Sequence, residues 1–201
     1  MSRYERKDGY YKRAKSEGFR SRAAYKLQQL DQRHRLLRRG ARVIDLGCAP
    51  GGWLQVAAGR VGRGGRVVGI DRLECEPLEL ANAEVLVGDI GAADTPERLR
   101  RALGGPADVV LSDMAPDTSG VGFADHVRSV ELVRASAAVA AAVLRPGGQL
   151  CAKVFDGPEL QDLVAALRQR FVKVRRVHPA ASRKGSRELY LVATDFKPAP
   201  A

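Results

Sequence analysis

The sequence predicts an α/β fold built on a Rossmann-like, seven-stranded sheet that is mostly parallel and ends in an antiparallel edge hairpin. From Ala41 onward, short runs of β-branched residues alternate with segments of helical periodicity, which is typical of consecutive βαβ units. The last two predicted strands are joined by the polar segment 179–187 instead of a helix, so they are expected to pair antiparallel. A chain of 201 residues is long enough for one such domain.

Each predicted element has a local signal. The predicted strands are the β-branched runs at 42–46, 66–70, 84–87, 108–112, 149–154, 173–178 and 188–193, and the helices between them lie at 53–61, 95–103, 124–144 and 158–171. Thr95 and Pro96 supply a cap and a first-turn proline for the second helix, and the Arg-Pro-Gly-Gly segment 145–148 ends the third. Two more helices are predicted before the sheet, the second at 22–31 with Ser21 as its cap. Seven strands that end in a hairpin, with helices on both faces, fit a methyltransferase sheet better than a dehydrogenase.

The composition excludes several other classes of protein. A hydrophobic content of 45% does not fit wholesale disorder. The most apolar run, 135–144, is too short to span a bilayer, and the charged N-terminus carries no secretion signal. Three dispersed cysteines and three histidines predict neither a disulfide framework nor a metal site. The expected protein is reduced, cytoplasmic and monomeric, without a membrane partner.

The positive charge is concentrated in two segments. Residues 1–40 carry 13 Lys and Arg against four acidic residues, whereas residues 41–201 carry 21 against 19. The segment 168–187 contains eight basic residues and no acid, and is expected to flank Glu188. Five of the eleven aromatic residues lie among the N-terminal cations, where they could stack on bases or pack. These segments indicate a polyanion partner such as RNA, the alternative being a solvated face. We therefore divide the chain into a basic helical RNA-binding segment (1–40), a catalytic domain (41–196) and a tail (197–201).

A glycine-rich turn follows the first predicted strand, in the sequence Val-Ile-Asp-Leu-Gly-Cys-Ala-Pro-Gly-Gly-Trp at 43–53. A strand, a glycine-rich turn and a helix in this order let the backbone approach a nucleotide, with Gly47, Gly51 and Gly52 at the turn. The spacing differs from the fingerprint of dinucleotide-binding proteins and from a P-loop. Asp45 is unfavourable beside a pyrophosphate but suits a ligand with a cationic amino group. An ordinary tight turn is the alternative.

Two further acids end the next two predicted strands. Asp71 is placed to accept the hydroxyls of an adenosine ribose, and Asp89 to accept the exocyclic amine of an adenine. Three successive strands would thus bring carboxylates to one edge of the sheet. This pattern favours an adenosine ligand without phosphates, such as S-adenosylmethionine, with Trp53 as a candidate packing wall.

A second group of residues has side chains that are suited to catalysis. Asp113 follows the fourth predicted strand, and Lys153 lies within an otherwise apolar strand, where a charged lysine is costly unless paired. Glu188, at the start of the last strand, is the predicted partner of Lys153. Lys26 is, by itself, one of 13 basic residues in the N-terminal segment.

These residues resemble the FtsJ-type RNA 2'-O-ribose methyltransferases from Arg20 to Thr194. The resemblance rests on the stretches 21–27, 45–53, 112–116, 153–155 and 186–190. It implies a catalytic tetrad of Lys26, Asp113, Lys153 and Glu188. It implies cofactor contacts from Gly51, Trp53, Asp71, Asp89 and Asp113.

The resemblance also implies a reaction and a substrate. The methyl donor would be S-adenosyl-L-methionine, and the acceptor a ribose 2'-hydroxyl, by family that of a uridine in 23S ribosomal RNA of the 50S subunit. Lys153 is the predicted general base, while Asp113 and Glu188 orient the lysines and the hydroxyl. The alternatives are methylation of tRNA or another RNA, and a non-catalytic RNA-binding factor of ribosome assembly, which the intact tetrad argues against. A small-molecule methyltransferase would leave the basic segment without a role.

Overall fold

A seven-stranded sheet forms the centre of the computed structural model, which describes residues 9–117, 121–183 and 185–199. The strands in chain order are β1 (Arg42–Leu46), β2 (Arg66–Asp71), β3 (Ala83–Val87), β4 (Ala107–Ser112), β5 (Leu144–Phe155), β6 (Phe171–Val177) and β7 (Glu188–Phe196). Their order across the sheet is β3-β2-β1-β4-β5-β7-β6. The first eight residues of the predicted basic segment, Lys184 of the predicted polar loop and the last two residues of the predicted tail lie outside the described residues.

The strand directions confirm the predicted sheet. All neighbouring strands from β3 to β5 pair in parallel, and β7 pairs antiparallel with both β5 and β6. The hairpin therefore lies at the sheet edge, with β6 as the edge strand. One boundary differs clearly, because β5 begins at Leu144 and not at 149. Leu144 pairs with Ala107 before the register with β4 shifts.

Helices cover both faces of the sheet, as predicted. They are α1 (Gly9–Ser16), α2 (Ala24–His34), α3 (Gly52–Val61), α4 (Thr95–Leu103), α5 (Gly122–Val143) and α6 (Leu160–Arg170). Side chains of α4, α5 and α6 share one apolar core with alternate strand residues such as Ile44, and those of α2 and α3 share the other with residues such as Val43. Alternation along β1 thus fills both cores. No helix among the described residues is long and apolar enough to cross a membrane.

The predicted start of α2 is wrong. Ala23 occupies the N-cap position without a side-chain hydrogen bond, and Ser21 lies in the preceding turn, where its carbonyl accepts from the backbone N–H of Ala24 at 3.2 Å. The side chain of Ser21 instead packs closely against Gly52, where an added Cβ would lie 2.3 Å from Ser21 Oγ. This contact, and not helix capping, accounts for a small residue at position 21.

The predicted cap of α4 is also wrong, although its proline lies in the first turn as expected. Asp94 is the N-cap residue, and Thr95 is already helical. The hydroxyl of Thr95 donates to the carbonyl of Asp89 at 2.7 Å. Thr95 therefore fastens the start of α4 to the segment that follows β3.

The second basic segment does not flank Glu188 along its whole length. Because β6 is antiparallel to β7, Lys173 pairs with Thr194, whereas Val177 pairs with Tyr190 near the Glu188 end of β7. The prediction is therefore wrong for the first half of the segment, which lies toward the opposite end of the sheet.

Candidate active site

A cavity of about 310 Å³ opens at the carboxyl ends of β1, β2, β3 and β4. We call it the carboxyl-end cavity. Three of the predicted site residues, Gly47, Asp71 and Asp113, line it together with Gly88 and Met114. Parallel strands bring these loops together because their carboxyl ends meet at one edge of the sheet, the usual ligand position in such folds.

The turn after β1 depends on two glycines. Gly47 has φ +71°, and a Cβ there would lie 2.2 Å from Cγ of Met114. Gly51, at the N-cap of α3, has φ +108°. Both conformations are strained for a side-chain-bearing residue, so the turn requires glycine at both positions, and Gly47 also requires it for the close approach to Met114 in the cavity wall.

Asp71 is fixed by the chain on both sides of its carboxylate. Its Oδ2 accepts from the backbone N–H of Ala49 at 3.0 Å, and its Oδ1 accepts from that of Leu73 at 2.9 Å. Asp71 therefore joins the loop after β1 to the loop after β2, and it lines the cavity at their junction.

Asp89 lies beside the cavity and not in its wall. Its carboxylate accepts from the backbone N–H of Gly91 at 2.8 Å and from Arg72 at 2.7 Å, and these contacts lower its pKa. The flanking residues Gly88 and Ile90 line the cavity, as does Arg72. The carboxylate is thus held ionised at the rim.

Asp45 is buried at 1% exposure, and neither of its carboxylate oxygens has a hydrogen-bond partner among the described residues. Burial, followed by the nearby charges of Asp113 and Asp71, raises its pKa well above the ordinary aspartate value. A cationic group bound near these three carboxylates would offset that repulsion. The site therefore fits a ligand that carries an amino group or another positive charge.

Trp53 does not line the carboxyl-end cavity, nor do Gly51, Gly52 and Asp45. The prediction of Trp53 as a packing wall is contradicted, since its indole is 3% exposed and donates to the carbonyl of Ala23 at 2.8 Å. Its ring centroid lies 5.7 Å from that of Tyr190. The first turn of α3 faces the core, so Trp53 joins α3 to α2 and β7.

The four predicted tetrad residues come together as two ion pairs. Lys153 Nζ lies 3.0 Å from Asp113 Oδ1 and also donates to the carbonyl of Asp113 at 2.5 Å. Lys26 Nζ lies 2.6 Å from Glu188 Oε1. The predicted pairing of Glu188 with Lys153 is therefore wrong, because α2 covers this face of the hairpin and brings Lys26 to Glu188. Both lysines are about nine-tenths buried.

Tyr190, a residue without a predicted role, connects the two ion pairs. Its hydroxyl donates to Asp113 Oδ1 at 2.5 Å, and its ring centroid lies 6.0 Å from Lys26 Nζ. Burial and the neighbouring carboxylates of Asp113 and Glu188 raise its pKa well above the ordinary tyrosine value, so it remains a donor. Its position two residues after Glu188, on the same face of the strand, was the available signal.

The arrangement suits acid–base and positioning chemistry. Two lysines, two carboxylates and a tyrosine hydroxyl lie next to a cavity, where they can orient a substrate hydroxyl and accept its proton. Burial raises the pKa of Cys48 and Cys151, so neither supplies a thiolate at neutral pH. Within the described ranges no cluster of three or more His, Cys, Asp or Glu side chains is placed to hold a metal ion.

Curated relatives are about half identical to this chain over the aligned residues. The chain is 51% identical over 195 residues to the ribosomal RNA large subunit methyltransferase E of Haloarcula marismortui, covering 93% of this chain and 74% of that protein. It is also 51% identical over 195 residues to the protein of the same name from Paramagnetospirillum magneticum, with coverage of 94% and 79%.

Solved structures and a family model agree with this similarity. A ribosomal RNA methyltransferase from Plasmodium falciparum superposes with a TM-score of 0.79 at 30% identity, covering 89% of this chain and 98% of that one. Aeropyrum pernix fibrillarin with bound S-adenosyl-L-methionine has a TM-score of 0.60 at 17% identity, covers 87% of this chain and 75% of its own, and supports the fold alone. The fold is that of class I S-adenosylmethionine-dependent methyltransferases. The model of FtsJ-like methyltransferases matches residues 19–196, so the chain belongs to the FtsJ-like methyltransferase family.

Proposed function

We propose that the protein transfers a methyl group from S-adenosyl-L-methionine to the 2'-hydroxyl of a uridine ribose in large-subunit ribosomal RNA. The observation that carries this proposal is the pair of ion contacts, Lys153 with Asp113 and Lys26 with Glu188, joined through Tyr190 beside the carboxyl-end cavity. The relatives named for this activity support the choice of RNA.

The carboxyl-end cavity has donors and acceptors suited to S-adenosyl-L-methionine, which supplies an electrophilic methyl group when bound. Asp71 would accept the ribose hydroxyls and Asp89 the adenine amine. Asp113 and Asp45 would stabilise the positive charge of the methionine part, since Asp45 has no other partner among the described residues. Gly47 lets the backbone approach, while Gly51, Gly52 and Trp53 support the turn and the start of α3.

The tetrad orients the acceptor hydroxyl and takes up its proton. Lys153 would accept the proton of the ribose hydroxyl as the ribose oxygen bonds to the methyl carbon and the bond from that carbon to the sulfonium sulfur breaks, which leaves a neutral thioether. Asp113 holds Lys153 through both its carboxylate and its carbonyl, and Glu188 holds Lys26 toward the same face. Fixed orientation of this kind can contribute on the order of 7–11 kcal/mol in favourable cases, more than the choice of base alone.

The charge of the chain supports an RNA partner. The segment 1–40 carries a net charge of +9 and contains Lys26, so the cations that contact phosphates would also bring a tetrad residue to the ribose. We propose that this segment contacts the RNA of the large ribosomal subunit and that the protein acts as a monomer.

Transfer of a labelled methyl group to four substrates tests the proposed RNA. These are large ribosomal subunits, free large-subunit RNA, tRNA and capped RNA, all prepared without prior modification. We expect label in the large-subunit RNA, from one or both of its forms, and background levels in tRNA and capped RNA. Preferential labelling of tRNA or of the cap would overturn the assignment of the substrate, and no labelling of any RNA would overturn the proposed activity.

A further inference from the structure

A second cavity, of about 390 Å³, lies at the amino ends of β1, β4 and β5. We call it the amino-end cavity. Its lining comes from four separate parts of the chain: the end of α2 with the segment that follows it, the start of β4, the start of β5 and the hairpin of β6 and β7. It lies at the opposite end of the sheet from the carboxyl-end cavity. On α2, Lys26 of the tetrad and His34 of the amino-end cavity are eight residues apart, which corresponds to about 12 Å along that helix.

The lining of the amino-end cavity is strongly basic. Five Lys and Arg residues face two aspartates, which leaves a net charge of +3. Arg145 Nε lies 2.5 Å from Asp108 Oδ1, so this arginine is neutralised. The other four cations form no ion pair with a described side chain; they are Arg38, Arg39, Lys173 and Arg175. The remaining acid, Asp195, accepts from Thr194 Oγ1 at 3.0 Å.

His34 reports the same positive surroundings. Its pKa is lowered by burial and then by the charges of Arg175 and Arg33. Four cations beside one further acid, Asp195, leave a net repulsion that reduces the stability of the folded state. A structural role alone therefore does not account for their convergence.

Protection of a sheet edge explains only part of this cluster. Lys173 and Arg175 lie on the edge strand β6, where charged residues discourage pairing with other chains. Arg38 and Arg39 belong to a different segment, after α2, and lie at the same cavity. The convergence of two basic segments on one concave surface is what a polyanion requires.

The geometry points to the amino-end cavity as a second phosphate-binding site for the RNA substrate, with Arg38, Arg39, Lys173 and Arg175 contacting backbone phosphates at a distance from the reacting ribose. This inference rests on the proposed RNA substrate. The basic segments predicted to hold RNA would then bind it at both ends of the sheet. The amino-end site would contribute affinity and position, and the tetrad would carry the chemistry.

A double substitution, Arg38→Gln with Arg175→Gln, takes one cation from each segment. Binding to an unmodified large-subunit RNA transcript is measured across a salt titration, together with KM and kcat for methyl transfer. The matched control is Arg101→Gln with Arg134→Gln, which removes the same charge from exposed positions on α4 and α5. Restoring the charge with Arg38→Lys and Arg175→Lys tests whether the effect follows the charge.

We expect the KM for RNA to rise about tenfold with kcat unchanged, as for two lost charge-assisted contacts. A plot of log affinity against log salt concentration has a negative slope, and its magnitude should decrease by about 2 in the double variant. Each lost phosphate contact lowers that magnitude by about 0.9. The control and the charge-restoring variant should retain most of the wild-type slope, and the melting temperature should not fall.

Two results would overturn the inference and leave the proposed function intact. One is an unchanged salt slope and KM in the double variant while the wild type still methylates the transcript. The other is loss of inorganic triphosphate binding, measured by calorimetry, without any change in RNA binding, which would assign the cavity to a small anion. Absence of methyl transfer by the wild type, both to the transcript and to unmodified large subunits, would contradict the proposed function instead. The binding data would remain interpretable because they do not require turnover.

Discussion

Asp113 takes part in more of the site than any other side chain described above. It lines the carboxyl-end cavity, pairs with Lys153 at 3.0 Å and accepts from the Tyr190 hydroxyl at 2.5 Å. A carboxylate can accept several hydrogen bonds at once, so one residue can hold both the base and the tyrosine that packs beside Lys26. Asp113 thereby couples the cofactor cavity to the tetrad.

Asp45 predicts a pH dependence of stability. Because its pKa is raised in the folded state, the folded protein binds this proton more tightly than the unfolded chain does. In the unfolded chain the pKa of an aspartate is about 3.9. Stability contributed by this group is present below the unfolded pKa and is lost as pH rises through the folded pKa. Each pH unit between the two values corresponds to about 1.4 kcal/mol.

The substitution Asp45→Asn removes this ionisation and keeps the shape of the side chain. The difference in melting temperature between the variant and the wild type, measured without S-adenosyl-L-methionine, should increase in the variant's favour from pH 4.5 to pH 7.5. One kcal/mol corresponds to roughly 2–4 °C for a chain of this size. A melting-temperature difference that stays constant with pH would show that ionisation of Asp45 does not destabilise the folded protein. Weaker S-adenosyl-L-methionine binding by the variant is expected in the same samples.

At the scale of the elements, the turn that leads into α2 packs against the start of α3 through the contact between Ser21 and Gly52. A Cβ at position 52 would lie 2.3 Å from Ser21 Oγ and 3.3 Å from Ser21 N. Trp53 reinforces the contact through its hydrogen bond to Ala23. Since Lys26 lies on α2, the position of that lysine depends on how closely the two helices approach.

Gly52→Ala should therefore lower both stability and activity. We expect a loss of about 1–3 kcal/mol from overpacking, and a lower kcat for methyl transfer because Lys26 moves with α2. Gly59→Ala is the matched control on the same helix, where an added Cβ meets no atom within 4 Å. That variant should be more stable by up to about 1 kcal/mol from helix propensity. Equal effects of the two substitutions in thermal unfolding and turnover would contradict the packing explanation.

The sheet was predictable element by element, because buried parallel strands are continuous β-branched runs bounded by glycine and proline. The ion pairing of side chains within the site was harder to predict. The partner of Glu188 depends on where α2 crosses the hairpin, and the sequence of β7 carries no information about that crossing. Trp53 was misplaced for a similar reason, since a tryptophan after a glycine-rich turn has the same sequence signature whether it faces the cavity or the core.

At the scale of the whole molecule, the basic side chains of the two positively charged segments lie at both ends of one sheet. The local sequence predicted two basic segments, and the antiparallel course of β6 separates Lys173 from Glu188. Half of the second segment therefore lies beside the end of the first, at the amino-end cavity. Such convergence depends on topology, which explains why composition indicated a polyanion without indicating where it binds.

The position of the transferred methyl group tests the central claim most directly. Large-subunit RNA is labelled in separate reactions with the wild type, with Lys153→Ala and with Lys197→Ala, the matched lysine control. Each labelled RNA is then hydrolysed in alkali. A methylated 2'-oxygen cannot attack its neighbouring phosphate, so the label should remain in an alkali-resistant dinucleotide.

Lys153→Ala should reduce the rate by about 10²-fold or more while S-adenosyl-L-methionine and RNA binding persist, and Lys197→Ala should behave as the wild type. Label released in mononucleotides, which indicates methylation of a base, or full turnover by Lys153→Ala, would contradict the proposed 2'-O-methyl transfer by this tetrad.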